Sequence, residues 1–107
     1  MRRGEIVSVV IPGDYGKPRP ALIVQADRFS GIPSLTVLPL TSDLRSVPAL
    51  RIDVDPDAAN GLRLPSQIMV DKIVSVGIGK IGDRIGELSD EGMASVDRAL
   101  AAFLGFA

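Results

Sequence analysis

The stretch Lys17-Pro18-Arg19-Pro20-Ala21-Leu22-Ile23-Val24-Gln25 combines an arginine held between two prolines with a continuous apolar run of strand length. Proline fixes its own φ and pushes the residue before it out of the helical region, so Arg19 is extended. The segment therefore reads as a stiff approach, out of the glycine-rich turn Gly13-Asp14-Tyr15-Gly16, into a buried strand. Upstream, Glu5-Ile6-Val7-Ser8-Val9-Val10-Ile11 is β-branched and is stopped by Pro12-Gly13-Asp14. Downstream, Leu35 to Leu40 is a further apolar run, in which Pro39 predicts an edge position or a bulge. Leu50-Arg51-Ile52-Asp53-Val54 alternates strictly, so one of its faces is solvated. Gln67 to Val76 reads as one long strand, and Ile81 to Leu88 as a glycine-weakened last one. Runs this short between closely spaced turn signals predict a small barrel or sandwich rather than βαβ units.

The end of the chain changes period. Ser89 suits an N-cap, Asp90 and Glu91 suit the positive end of a helix dipole, and Gly105 sits where a C′ glycine belongs. Met93, Val96, Leu100, Phe103 and Leu104 share one helical face, predicting an amphipathic helix over 90–104 that packs on the barrel and could also face another subunit. No repeat, low-complexity tract or linker interrupts the 107 residues, which are expected to form one domain, 1–107, of mainly β (α+β) class.

Composition narrows the chemistry. With no cysteine and no histidine, the chain has no disulfide, no thiolate or imidazole metal ligand, and no histidine base or Ser–His nucleophile pair. No apolar run reaches the roughly 18–20 residues of a membrane span, and Met1-Arg2-Arg3-Gly4-Glu5 lacks the apolar core of a signal peptide, so a cytoplasmic location is expected. A net charge of −1 does not resemble a nucleic-acid binder. Its distribution is uneven, however: residues 1–51 carry seven Lys/Arg against four acids, and residues 52–107 carry five against nine. A basic groove lined by the first half is one expectation, and an ordinary mixed surface is the other.

Two features could carry chemistry. Arg19 offers a planar fork that matches a phosphate, or is an incidental surface arginine in a hairpin connection. Pro39-Leu40-Thr41-Ser42-Asp43 ends a strand in two hydroxyls and a carboxylate, which suits hydrogen bonding to an oxyanion or an ordinary turn.

In order along the chain, Arg3-Gly4-Glu5-Ile6-Val7, Arg19-Pro20-Ala21-Leu22-Ile23-Val24, Leu38-Pro39-Leu40-Thr41-Ser42, Gly61-Leu62-Arg63-Leu64-Pro65-Ser66, Val70-Asp71-Lys72-Ile73 and Gly86-Glu87-Leu88-Ser89 form a series. This series resembles the MazF/PemK family of toxin endoribonucleases over nearly the whole chain. The resemblance implies a small SH3-like β-barrel with a C-terminal amphipathic helix, usually a homodimer. It implies cofactor-free, metal-independent cleavage of single-stranded RNA at short sequences by attack of the RNA's own 2′-OH, leaving a 2′,3′-cyclic phosphate and a 5′-OH. It also implies inhibition by a cognate antitoxin. By motif position Arg19 and Thr41 carry the main catalytic roles.

Such a reaction needs a base for the 2′-OH, an acid for the leaving oxygen and a cation for the phosphorane-like transition state. Arg19 suits the cation and is a poor base, because guanidinium does not readily lose its proton. Thr41 suits a donor to a non-bridging oxygen. Asp71 is the leading base, with Lys72 beside it, although neighbours in a strand point to opposite faces. Some relatives carry an arginine two residues before this aspartate; here Met69 stands there, which leaves Arg19 as the acid and weakens the case for Asp71. Tyr15, Lys17, Ser42, Gln67 and Lys72 are the expected RNA-binding residues, Tyr15 and Lys17 lying in a loop that is shorter than in many members. Two other readings keep the fold: a gyrase poison, which would rely on the C-terminal helix, and a non-catalytic SH3-like module that binds RNA or protein.

Overall fold

Three strands in this chain bury both of their faces, so the molecule has two apolar clusters divided by one sheet. The computed structural model describes residues 1–13 and 15–107; Asp14, read above as part of a turn, lies outside them. β1 (Glu5–Val10), β2 (Pro18–Ile23) and β3 (Ser34–Thr41) form an antiparallel meander. Ile6, Leu22 and Leu38 point into one cluster with Leu40, Val54, Ile68, Val70 and Val96. Their neighbours Val7, Val9, Ala21, Ile23 and Val37 point into the other, with Leu35. A strand covered on both sides reads as an unbroken apolar run, which explains Ala21–Val24 and Leu35–Leu40.

β4 (Arg51–Val54), β5 (Ser66–Met69), β6 (Val74–Gly77) and β7 (Ile81–Glu87) complete an antiparallel sheet of order β4-β5-β3-β2-β1-β7, with β6 also on β3. Register shifts between Ile6 and Val7 and between Val7 and Val9 distort the β1–β7 ladder, as bulges do in a curling sheet. Among the described residues no ladder joins β4 to β7, so the small mainly β body forms as expected but its barrel stays open.

The structure corrects one strand reading and decides another. The run Gln67–Val76 is not one strand: a 3-10 turn at Val70–Lys72 separates β5 from β6. The break has a tertiary cause. β5 pairs with the far end of β3 (Leu40↔Ile68) and β6 with its near end (Val37↔Val74), and these two registers do not join without a turn. Pro39 lies in neither an edge strand nor a paired stretch of that side. It falls between Val37, the last residue laddered to β6, and Leu40, the first laddered to β5, where an N–H would have no ladder partner.

The helix α1 (Asp90–Leu104) has the predicted bounds. Ser89 Oγ accepts the Gly92 N–H at 3.0 Å, and Gly105, at φ 86°, closes the end with hydrogen bonds to the last carbonyls. Val96 is fully buried, with Met93 and Leu100 packed half-buried beside it. Phe103 and Leu104 depart from the expected core face: they are 45% and 46% exposed, beyond the end of the packed stripe. No described helix is long and apolar enough to cross a membrane.

Glu5 joins the N-terminal turn to β7. The Arg2 main-chain N–H donates to Oε1 and the Arg84 guanidinium to Oε2, each at 2.5 Å, and both hold this carboxyl below the usual carboxylate range. A lowered pKa stabilises the fold above the unfolded value near 4.5 and is lost as pH falls through the folded one. Glu5→Gln is therefore expected to melt below wild type near neutral pH, by about 1 kcal/mol or less, with the gap closing in acid. Thermal melts of both proteins across the pH range check this.

Candidate active site

Arg19 reaches the site because β2 and β3 unzip in front of it. The ladder between them runs from Val24, whose N–H donates to Thr36 O, to Ala21↔Pro39. In an antiparallel pair alternate residues face the same neighbour, so Leu22, Pro20 and Pro18 turn their nitrogens toward β3. Pro20 and Pro18 have no N–H to give, and the ladder stops. Arg19 itself faces β1, where it pairs with Val9. Continuing the β2–β3 register two residues past Ala21↔Pro39 sets Arg19 across from Thr41.

The opened junction borders a groove of about 800 Å³ lined by Arg19, Pro20, Leu40, Thr41, Ser42 and Asp43 together with Gly61 to Leu64. Met69 and Ile85 also line it. Arg19 is exposed at its mouth. Thr41 Oγ1 accepts the Asp43 N–H at 3.0 Å, which occupies a lone pair and leaves the hydroxyl proton to be donated elsewhere.

The Gly61–Leu64 wall had no assigned role at the level of sequence, and its support is a buried asparagine. Asn60 is 2% exposed; its Oδ1 accepts the N–H groups of Asp57 (3.1 Å) and Leu62 (3.0 Å), and its Nδ2 donates to Asp55 O at 2.8 Å. The segment lies against β7, where the Glu87 N–H donates to Ala59 O at 2.9 Å. Gly61, at φ 67°, faces the Ile85 carbonyl, and Gly86 faces the main chain of Ala59 and Asn60; a Cβ at either would collide. Asn60-Gly61 signals a turn, but only the contact with β7 shows what that turn holds.

The remaining expected residues divide. Ser42 lines the groove. Tyr15, 98% exposed and at φ 55°, and Lys17 sit in the exposed connection that leads into β2, outside the groove lining. Gln67, expected on RNA, is 6% exposed and committed within the protein. Its Oε1 accepts from Arg45 N and Arg51 Nη1, both at 3.0 Å, and its Nε2 donates to Arg45 O (2.9 Å) and Asp53 Oδ1 (2.8 Å). Asp71 and Lys72 are in the 3-10 turn rather than a strand, 3.8 Å apart as an ion pair, and neither lines the groove with Arg19 and Thr41. The charge division between sequence halves does not map onto the groove either, because residues 61–64, with the cation Arg63, form one wall.

This arrangement fits what the chain resembles. Residues 2–104 match the family model described as PemK-like, MazF-like toxin of type II toxin-antitoxin system. The chain is 44% identical to the probable endoribonuclease MazF of Mycolicibacterium smegmatis, over 100% of this chain and 99% of that protein. It is 32% identical to endoribonuclease EndoA of Bacillus subtilis, over 94% and 90% of the two. A solved mycobacterial endoribonuclease in complex with its cognate antitoxin superposes with a TM-score of 0.83 at 25% identity, covering 100% of this chain and 97% of that one. The chain belongs to the PemK-like, MazF-like toxin family of type II toxin–antitoxin systems.

Proposed function

We propose that this protein is a toxin endoribonuclease that cuts single-stranded RNA by internal transesterification and needs no metal. The observation that supports it is one groove lined by both Arg19 and Thr41, where the β2–β3 ladder stops. The names of its relatives as endoribonucleases point the same way. In the groove the scissile phosphate lies against the Arg19 guanidinium, whose fork binds two phosphate oxygens and offsets the charge that grows on phosphorus. The Thr41 hydroxyl donates to a non-bridging oxygen. O2′ attacks phosphorus, the P–O5′ bond breaks, and the departing O5′ takes a proton from Arg19. That transfer is downhill once the bond has broken, because an alkoxide is a stronger base than neutral guanidine. The partners are a second copy of the chain and a cognate antitoxin, like that bound to the mycobacterial relative.

The test is cleavage of a randomised pool of end-labelled single-stranded RNA in excess EDTA. The expected products end in a 2′,3′-cyclic phosphate and a 5′-OH. No cleavage at any sequence, or cleavage abolished by EDTA, overturns the reading. Thr41→Val keeps the volume and removes the donor, so it is expected to lower the cleavage rate by about 10–10²-fold with little change in RNA affinity. Thr41→Ser, which retains the hydroxyl, is expected to stay within a few-fold of wild type.

A further inference from the structure

The chemistry above leaves the 2′-OH proton without an acceptor. We propose that Asp43 is the general base, taking that proton on Oδ1; this rests on the endoribonuclease reading. With no histidine or cysteine in the chain, a carboxylate is the acceptor that the side chains can offer a hydroxyl. Among the described residues, Asp43 is the one carboxylate that lines the groove.

Asp43 is also held in a way that suits the task. Its main chain is fixed at both ends, the N–H to Thr41 Oγ1 at 3.0 Å and the carbonyl to Arg51 Nη1 at 2.8 Å. Arg45 places Nε (3.3 Å) and Nη2 (3.0 Å) on the same carboxylate oxygen, Oδ2. That aims Oδ1 away from the fork, and the side chain is 69% exposed, within reach of a substrate. Arg45 in turn has its N–H and its carbonyl both bound by the buried Gln67. Gln67 thus acts on the turn that carries the carboxylate and has no need to touch RNA. The Thr41–Asp43 hydrogen bond links the donor for the non-bridging oxygen to the acceptor for the 2′-proton, two residues apart on one turn.

The step balances. The 2′-O–H proton passes to Asp43 Oδ1, O2′ bonds to phosphorus, P–O5′ breaks, and O5′ takes its proton from Arg19. Afterwards Asp43 returns its proton to water and Arg19 regains one from water.

The test compares wild type, Asp43→Asn, Asp43→Glu and Arg19→Ala on the preferred RNA found in the pool. It also uses the same RNA with a bridging sulfur in place of the scissile O5′, a leaving group that needs no proton. Asp43→Asn keeps an oxygen for Arg45 and is expected to retain the wild-type melting temperature while kcat/KM falls about 10²-fold or more. Asp43→Glu is expected to recover at least a tenth of wild-type activity. The sulfur substrate is expected to restore much of the loss in Arg19→Ala and none of it in Asp43→Asn. Asp43→Asn within threefold of wild type overturns the proposal, as does its rescue by sulfur to the same degree as Arg19→Ala. A wild-type protein that cuts no RNA overturns the enzyme reading itself, and this proposal with it.

Discussion

Arg19→Ala is expected to lower kcat/KM for RNA cleavage by about 10³-fold or more, the largest loss of any single side chain in the groove. One donor aimed at developing charge contributes roughly 10²–10³-fold, and proton transfer to the leaving oxygen a further factor of about 10² or more, with the two effects not fully additive. The fold is expected to survive, because Arg19 is exposed and alanine preserves its main-chain pairing with Val9. A loss of more than a few degrees in melting temperature would show that the activity change was structural. Arg19→Lys separates charge from geometry. An ammonium keeps the positive charge but not the two-point fork, so an intermediate loss is expected. RNA affinity of Arg19→Ala should also show a smaller salt dependence, by about one phosphate contact. Cleavage by Arg19→Ala within tenfold of wild type would remove the central assignment.

Gly86→Ala is expected to destabilise the protein by about 3 kcal/mol, lowering Tm by roughly 10–20 °C. Gly86 is buried in β7, and a Cβ there would meet the main-chain atoms of Ala59 and Asn60, which cannot rotate away as a side-chain tip could. Relief requires the 55–64 segment to lift from β7, which would break the Glu87–Ala59 hydrogen bond and disturb the Asn60 network. Cleavage is expected to fall at temperatures where Gly86→Ala is still folded, since the Gly61–Leu64 wall moves while Arg19 and Thr41 stay in place. Thermal unfolding together with cleavage at low temperature checks both halves. A variant that melts within about 3 °C of wild type would show that the segment is held by something other than this contact.

The helix over 90–104 was legible because its signals are local: the Ser89 cap, the acids of the first turn and the C′ glycine all act within a turn or two. Arg19 was legible for a similar reason, since Pro18 and Pro20 restrict it directly. Gln67–Val76 was misread because its β propensity is continuous; what interrupts it is the change of partner along β3, some thirty residues earlier. Gln67, expected among the RNA-binding residues, is buried and holds the Arg45 main chain. Asp71, the leading base, lies in the 3-10 turn between β5 and β6 and is absent from the lining of the groove that holds Arg19 and Thr41.

The Pro18-Arg19-Pro20 stretch shows where the division lies. By itself the sequence determined that Arg19 is extended and stiffly presented at the start of a buried strand, that no histidine or cysteine assists it, and that Thr41 ends another strand. Those are properties of residue type and nearest neighbours. Only the tertiary structure decided that the missing proline N–H groups face β3, so that the sheet opens there with Thr41 and Arg19 lining one groove. It alone brought the 61–64 segment to that opening, beside an Asp43 that the chain already places two residues from Thr41, and left Asp71 out of the groove lining. These outcomes depend on strand register and on backbone contacts such as Gly86 with Asn60, between residues far apart in sequence, which no local preference encodes.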